Sequence, residues 1–433
     1  MSTETSQETF LSGLHRYFDS VRQNVRQNVR QNVRRHDLLK EMREKAWDHF
    51  LELGLPEKND EAFRYVPLRR LYEHSVKEPP TCYVPFKEEI QSYIYPECRG
   101  SYFVFINGAY QQELSGLSGL SKKIVALPIA DAMRSYGSFL QNRWSKALKE
   151  ETDSFAVLNL ALHPQGLFFY VPPKVVIEKP IQTLFLSTAE TFSPARLQLF
   201  LASQTQVQWI STIAGDGIHN TFLDVVVEDG ASFDQTEAPR NGHGWHLNHF
   251  RATLKRDSRL KYFALTRGPR TTRHSLRAQL QGENADLLFQ GLWDLHESSH
   301  AHTHVFVEHA APHARSLQKF KGVLKDTAQS SFEGKIFVRP QAQKTEAYQL
   351  NHNLLLSEGA VAHAKPNLEI FADDVKASHG ATFAQVDKEQ LFYLKSRGIS
   401  TETASQLLIR GYRQEMVNQI SHAVIREEFQ NGL

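Results

Sequence analysis

The stretch 365–382, KPNLEIFADDVKASHGAT, is the part of the sequence from which we predict the fold. Leu368 and Ile370 alternate with polar neighbours, which is the period-2 pattern of a β-strand. Pro366 fits the first position of such a strand better than its middle, because proline lacks the N–H that a ladder needs. Asp373-Asp374 then interrupts the alternation, so we expect the strand to end there.

A second extended run begins at Val375 and is predicted to end at Ser378-His379-Gly380, because glycine readily adopts the positive φ of a tight turn. Such a turn would hold the imidazole of His379 beside the carboxylates of Asp373 and Asp374. A carboxylate orients an imidazole and raises its basicity, so His379 is a candidate metal ligand or proton-transfer group. The alternative is ordinary turn chemistry, in which all three side chains are simply solvated.

This stretch resembles the signature of the SufB/SufD family, whose members are scaffold subunits of iron–sulfur cluster assembly, and in particular its SufD branch. Further matches follow in order along roughly the C-terminal two-thirds of the chain, and several ordered matches are more specific than one short motif. They are Phe332-Glu333-Gly334-Lys335, Ala342-Gln343-Lys344-Thr345, Leu354-Leu355-Leu356-Ser357 and 392–398. The resemblance implies a mainly β fold with a right-handed parallel β-helix core, and a non-catalytic scaffold role.

The resemblance also implies partners. The β-core would pair with a SufB-like subunit, or with a second copy of the chain as a homodimer, and residues 401–433 would contact a SufC-like ATPase. His379 would face the subunit interface near Asp373 and Asp374, and would give one nitrogen ligand or polar contact to an iron–sulfur cluster. That cluster would be transient and shared with the partner, so the chain alone would hold no cofactor stably. Many family members have cysteine where this chain has Ala377.

The sequence contains two cysteines, Cys82 and Cys98, both in its first quarter. Iron–sulfur clusters are usually held by about four thiolates, so a partner would have to supply most of the sulfur ligands. So few cysteines also suit a reducing compartment, and the N-terminal MSTETSQETF lacks the apolar segment of a secretory signal. We therefore predict a cytoplasmic protein.

The charge of the 433-residue chain is nearly balanced, with 50 Lys and Arg against 48 Asp and Glu. General nucleic-acid binding favours a basic surface, so we do not expect a nucleic-acid partner. The apolar windows are short and fall well below the roughly 20 residues that a membrane span needs, so we expect no membrane association.

The pattern of the chain predicts three regions: a mostly helical N-terminal domain over 1–164, a β-helix core over 165–390 and a helical domain over 391–433. The first region contains a VRQN repeat over 21–32, which is typical of a solvated helix; a basic helix at a membrane or nucleic acid is the alternative. From about residue 165, short β-rich runs such as Leu167–Val171 and Gln206–Ile213 replace helical patterns.

Turns of similar composition recur between these runs. Asp229-Gly230-Ala231, Glu283-Asn284-Ala285 and Glu358-Gly359-Ala360 each place an acidic residue before a residue that tolerates positive φ and then an alanine, and His379-Gly380-Ala381 repeats the last two positions. Coils of about 20–25 residues, with small residues stacked inside their corners, would explain the recurrence.

Helical spacing returns after Asp387. Gly398-Ile399-Ser400-Thr401 supplies a break and an N-cap before the last helical segment. The apolar face of that segment must cover either the β-core or a partner, and from the resemblance we assign it to the ATPase contact. The face consists of Leu408, Tyr412, Met416, Ile420 and Val424.

A metal site is a second candidate, because His300, His302 and His304 would share one face of a strand. Three imidazoles can bind Zn²⁺ or Fe²⁺, which would make the chain a metal-dependent hydrolase; the alternative is that these positions face solvent. A carbohydrate-active β-helix enzyme would instead use paired carboxylates, for which Asp373-Asp374 is the candidate. The sequence lacks a P-loop, a Gly-x-Ser-x-Gly elbow and a His-Glu-x-x-His helix.

Overall fold

The structure is a computed structural model that describes residues 3–31, 39–77, 87–188, 191–240, 242–268 and 270–431. Cys82 and the end of the VRQN repeat lie outside the described residues, and side chains from residue 24 through the remainder of the repeat are not described either. Within the described part of the chain, no helix combines the length and the apolar character that crossing a bilayer requires.

Helices form both ends of the chain. The N-terminal helices are α1 (Thr3–Gln31), α2 (Lys40–Leu53), α3 (Leu68–Tyr72), α4 (Lys87–Tyr93), α5 (Ile129–Glu150) and α6 (Ser154–Leu162). The C-terminal helices are α7 (Lys388–Ser396), α8 (Thr401–Val417) and α9 (Ala423–Asn431).

Strands fill the middle of the chain and alternate between two sheets. One sheet is formed by β1 (Tyr102–Ile106), β2 (Ala109–Tyr110), β5 (Ile181–Ser187), β7 (Gln206–Gly215), β9 (Ser232–Glu237), β11 (Arg259–Arg267), β13 (Asp286–Leu295), β15 (Arg315–Leu324), β17 (Thr345–Leu355) and β19 (Val375–Ala384). The other is formed by β3 (Val125–Pro128), β4 (Leu167–Val171), β6 (Phe192–Leu201), β8 (Ile218–Val227), β10 (Trp245–Leu254), β12 (Thr271–Leu280), β14 (His300–His309), β16 (Gln329–Val338) and β18 (Val361–Ile370).

From β4 onward, each strand pairs in parallel with the strand two positions away along the chain, so the two sheets form a parallel β-helix of about seven coils. The predicted β-helix is therefore confirmed. The coils are longer than the predicted 20–25 residues: Trp245 pairs with Ile218 and Val361 with Gln329, which gives 27 and 32 residues per coil. The difference arises because each coil contains two strands of about ten residues together with both corners.

The three predicted turns with an acidic first residue all occur at coil corners. Gly230 and Asn284 adopt φ of 67° and 58°, and Ala231, Ala285 and Ala360 are buried inside the coil, as the prediction required. The fourth predicted turn is wrong, because His379-Gly380-Ala381 lies within β19.

Buried ion pairs attach the N-terminal helices to the outer face of the nine-stranded sheet. The segment between α5 and α6 carries Glu151 and Asp153. Arg251 Nε donates to Glu151 Oε2 at 2.9 Å, and Arg273 Nη1 donates to Asp153 Oδ2 at 2.6 Å. Three strands of the predicted N-terminal domain, β1 to β3, also join the sheets, while the domain boundaries at 164 and 390 stay a prediction.

The C-terminal helices pack on the outer face of the other sheet. Ser400 Oγ accepts a hydrogen bond from the Thr403 N–H at 3.2 Å, which confirms the predicted N-cap of α8. Arg413 forms an ion pair with Asp294 on β13, and Glu415 pairs with Lys321 on β15.

Candidate functional site

The β-helix ends at an uncovered coil. β19 is the last strand of its sheet and β18 is the last strand of the other, so over the described residues each pairs with a neighbour on one side only. Their other edges present unpaired backbone N–H and C=O groups, which can pair with another chain. Most of residues 365–382 lie at this end of the β-helix, in β18 and β19.

His379 lies in the middle of β19, opposite Gln349 of β17. Paired residues of adjacent strands present their side chains on the same face of a sheet. Because Gln349 is fully buried inside the helix, His379 is on the interior face of the last coil, and it is exposed there because no described coil covers it. Ala377 pairs with buried Ala347 and shares that interior face.

The predicted turn that holds His379 beside two carboxylates is wrong. Asp373 and Asp374 form the exposed corner between β18 and β19, and His379 follows five residues later along an extended strand, which is about 16 Å away. The Asp374 N–H donates to Gln343 Oε1 at 2.9 Å, so this corner is tied to the preceding coil. Asp374 lines a groove along the coil corners in which cations lie among the carboxylates: Asp257, Asp286 and Glu346 line it together with Arg259, Arg315, Lys344 and Lys376.

Polar side chains line the interior next to His379. Gln349 Nε2 donates to Gln318 Oε1 at 2.7 Å, and Asn353 Nδ2 donates to Asn351 Oδ1 at 2.7 Å. Among the described residues, Gln349 Oε1 and Asn353 Oδ1 have no hydrogen-bond partner although both are buried. Sequence reasoning missed these residues because nothing in the local sequence separates an interior glutamine from a surface one.

Apolar side chains form the rim of the uncovered coil. Phe371 and Phe383 are 58% and 49% exposed, and Ile370 lies beside them at the end of β18. Clusters of exposed aromatic and aliphatic groups are unusual on a monomer surface and typically mark an interface. The rim, the free edges and the polar interior are properties of one surface, which we name the coil end.

Of the two cysteines, Cys98 lies among the residues that the structure describes, and it is far from the coil end. Cys98 is fully buried beside β1, and β1 is eight strand positions from β19, which corresponds to about 38 Å. Burial also raises the pKa of the Cys98 thiol to about 12, so it is protonated at neutral pH. Cys98 therefore cannot provide a thiolate to a group bound at His379.

The three histidines of β14 share one face of the strand, as predicted, but that face is covered by N-terminal residues rather than solvent. Arg70 Nη1 is 3.4 Å from His300 Nε2, and His302 Nδ1 is 2.8 Å from Ser331 Oγ. Burial lowers the pKa of His300 to about 4 and that of His304 to about 3. Among the described residues, no three His, Cys, Asp or Glu side chains are arranged to hold a metal ion.

The predicted apolar face of the C-terminal segment is directed at the chain's own sheet. Met416 and Ile420 are fully buried with Phe263 and Leu292 of the β-core, and the Tyr412 ring lies 4.2 Å from Lys321 Nζ. The ATPase contact predicted at Tyr412, Met416 and Ile420 stays a prediction. Because Met416 and Ile420 are buried while α8 is docked, a partner of this segment would have to bind a different, exposed face.

Such a face exists on α7 and the adjoining surface of α8. α7 has no buried residue, and Phe392, Tyr393 and Leu407 are 73%, 58% and 47% exposed. Leu391 and Leu394 lie on the same short helix and are half-buried. We name Phe392, Tyr393 and Leu407 the α7 patch.

Comparison with known proteins agrees with this architecture. Residues 184–412 match the family described as "SUF system FeS cluster assembly, SufBD core domain", and residues 14–183 match the "SufBD protein N-terminal region". The first match spans more than half of the chain. The chain therefore belongs to the SufB/SufD family, and this membership assigns it to the SUF system of iron–sulfur cluster assembly.

Individual relatives carry SufB/SufD names. The chain is 28% identical to an iron–sulfur cluster assembly SufBD family protein of Synechocystis over 90% of this chain and 89% of the relative. It is 26% identical to SufD of Bacillus subtilis over 88% and 90% of the two chains, and 34% identical to SufD of Escherichia coli over 42% and 43%. These similarities confirm the SufD-like resemblance that the sequence motifs indicated.

Proposed function

We propose that this chain is a non-catalytic, cytoplasmic scaffold subunit of iron–sulfur cluster assembly, and that a SufB-like subunit binds its coil end. The observation that carries the proposal is the uncovered last coil, with two free strand edges and an exposed apolar rim. Pairing of strand edges would satisfy the free backbone groups, and burial of Phe371 and Phe383 would supply apolar area.

His379 would then lie in the interface and give one nitrogen ligand or polar contact to a cluster that the two subunits assemble and release. Ala377 offers no thiol on the same face, and Cys98 is buried far away, so the partner would supply the thiolates. Asp373 and Asp374 lie at the rim and would contact the partner rather than the cluster.

The test is His379→Ala in the complex reconstituted with a SufB-like subunit and a SufC-like ATPase. Because His379 is exposed and makes no packing contact in the core, the variant should fold and assemble normally. The amount of cluster formed should fall by about tenfold, in the range expected for a lost ligand or ligand-orienting group. Cluster content is measured by absorbance and by iron and sulfide analysis.

Ser378→Ala is the matched control, since Ser378 is adjacent but on the opposite, outer face of β19. It should leave the cluster yield unchanged. Wild-type yield from His379→Ala would remove His379 from the site, and loss of assembly in both variants would mean that β19 acts only through its edge.

The same surface explains how a homodimer would form when the partner is absent. A second copy could pair edge to edge at the coil end, because a two-fold axis there would bring identical free strands together. Replacing Phe371 with aspartate should then give a monomer in sedimentation analysis and should also weaken binding of the SufB-like subunit. A Phe371→Asp variant that keeps both assemblies would place the interface elsewhere.

For the ATPase, the α7 patch is the proposed contact. Phe392→Ser combined with Tyr393→Ser should abolish retention of the SufC-like subunit in a pull-down without changing thermal stability, since both side chains are exposed. Leu51→Ser is the control, because Leu51 is a similarly exposed side chain at the other end of the chain. Full retention of the ATPase by the double variant would contradict this assignment.

A further inference from the structure

A long groove between α5 and the outer face of the nine-stranded sheet is not used by the proposed function. Its volume is about 1060 Å³. Apart from the buried Arg196 on β6, its lining on the sheet runs from β8 to β18, which are five strand spacings of about 4.8 Å apart and thus span about 24 Å. An extended polypeptide advances about 3.3 Å per residue, so the groove matches about seven residues.

One end of the groove carries excess positive charge. Lys146, Arg196 and Lys255 line it there, and within the described part of the chain none of the three forms an ion pair. Arg196 is 3% exposed, its guanidinium lies 4.1 Å from the centre of the Phe222 ring, and its Nε has no hydrogen-bond partner. Glu228 and Glu150, which likewise form no ion pair with any described residue, offset two of the three cations, so one positive charge remains.

The other end has the opposite character. Glu333 lines the groove beside the last strand, where its side chain is 20% exposed and 4.0 Å from Lys365 Nζ. Lys365 also pairs with Glu61, and Lys335 pairs with Glu369, so three carboxylates face two cations at this end. The groove therefore favours a ligand that places carboxylates beside Lys146 and Lys255 and a cation beside Glu333 on β16.

Aromatic side chains contribute apolar surface along the groove. Phe306 is half-buried on the floor, Phe139 on α5 is 53% exposed along the wall, and Phe222 is only 6% exposed beside the Arg196 guanidinium. A nucleic acid does not suit this surface, because Asp224, Glu308 and other carboxylates along the groove would repel phosphates. A polypeptide with apolar side chains and a few charges fits both the aromatic floor and the charge distribution.

We infer that this groove binds an extended segment of a partner protein, about seven residues long, whose acidic residues lie at Lys146 and Lys255 and whose apolar side chains cover Phe139 and Phe306. The attraction at each end is electrostatic and sets the direction of the segment, while the aromatic floor supplies most of the buried area. This inference does not depend on cluster assembly at the coil end.

The experiment uses the full-length chain and a phage-displayed library of random seven-residue peptides. Selected peptides are synthesised and their affinities are measured by fluorescence anisotropy. We expect the selected sequences to share acidic residues at one end and apolar residues in the middle. Lys146→Glu combined with Lys255→Glu should weaken their binding by about tenfold or more, because two attractions become repulsions.

Lys149→Glu is the matched control, since Lys149 is an exposed lysine on the same helix that does not line the groove. The selected peptides should bind the Lys149→Glu variant with an affinity within about twofold of that for the wild type. Circular dichroism and thermal melting establish that all variants fold. Failure to enrich any peptide, or equal binding of the peptides to the wild type and the double variant, would overturn the inference.

Discussion

Glu237 lies inside the β-helix, where its carboxyl group is fully surrounded by protein. Asn248 Nδ2 donates to Glu237 Oε1 at 2.7 Å, the Tyr262 hydroxyl hydrogen-bonds to the carboxyl group, and His274 Nδ1 is 3.5 Å from Oε2. Burial raises the pKa of Glu237 from 4.5 to about 7, and the hydrogen bonds from Tyr262 and Asn248 only partly oppose it. Burial also lowers the pKa of His274 to about 3, so His274 is neutral and does not compensate the carboxylate.

This difference in pKa makes the folded state bind more protons than the unfolded state between about pH 4.5 and 7. The carboxyl group therefore costs the protein stability as the pH rises through that window. Each tenfold change in proton affinity is worth about 1.4 kcal/mol, so the total effect is about 3 kcal/mol, of which about 2.5 kcal/mol falls between pH 5 and pH 8. Glu237→Gln removes this titration and keeps a carbonyl oxygen for Asn248.

The assay compares the free energy of unfolding of Glu237→Gln with that of the wild type at pH 5 and pH 8 by urea denaturation. The variant must be compared with the wild type at each pH, because both proteins lose stability in acid for another reason. Burial lowers the pKa of histidines such as His246, and their protonation favours the unfolded state. The variant should gain about 2.5 kcal/mol relative to the wild type between the two pH values. In infrared spectra, the wild type should show a protonated-carboxyl band near neutral pH that the variant lacks.

Glu358→Gln, at an exposed corner, is the control and should show no gain between the two pH values. A constant difference between Glu237→Gln and the wild type from pH 5 to pH 8 would refute the reasoning. It would mean that the carboxyl group is already ionised inside the coil and is stabilised by a cation or water molecules.

Three further substitutions test the packing. Asp153→Asn should cost about 3–5 kcal/mol because it leaves Arg273 buried without its counter-charge, whereas Asp229→Asn in an exposed pair with Arg256 should cost less than about 1 kcal/mol; urea denaturation measures both. Gly215→Ala should lower the melting temperature much more than Gly268→Ala. Both glycines have positive φ, but a Cβ at 215 would lie against the Ser187 carbonyl, while a Cβ at 268 would have no atom of the described non-neighbouring residues within 4 Å. Met416→Ala should cost about 2–5 kcal/mol and increase hydrogen exchange in α8, whereas Leu407→Ala on the exposed side should change neither; equal effects would mean that α8 is not docked as described.

Several features could be read from the sequence because they depend on neighbours within one turn or one strand. The acidic corner sequences at Asp229 and Glu283 determine their turns, since the next residue tolerates positive φ. The cap at Ser400 and the apolar spacing of Met416 and Ile420 determine α8 and its buried face. The β-helix was predicted from the family-specific motifs, because the local sequence patterns alone support it only weakly.

The environment of His379 was decided by tertiary structure. Ser378-His379-Gly380 has the composition of a turn, but pairing with β17 holds the segment extended, with Gly380 opposite Leu350. Pro366 likewise lies inside β18 rather than at its start, which an edge strand tolerates because only one side of it belongs to a ladder. In both cases pairing across a coil overrode the local preference.

The sequence by itself determined which segments are extended, where the corners lie and which helical face is apolar, because these properties depend on the spacing of nearby side chains. Only the tertiary structure decided that His379 is on an uncovered interior face, that the β14 histidines are buried and that α7 is left exposed. These outcomes depend on contacts between residues that are about thirty positions or more apart in the chain, and a local pattern contains no record of them.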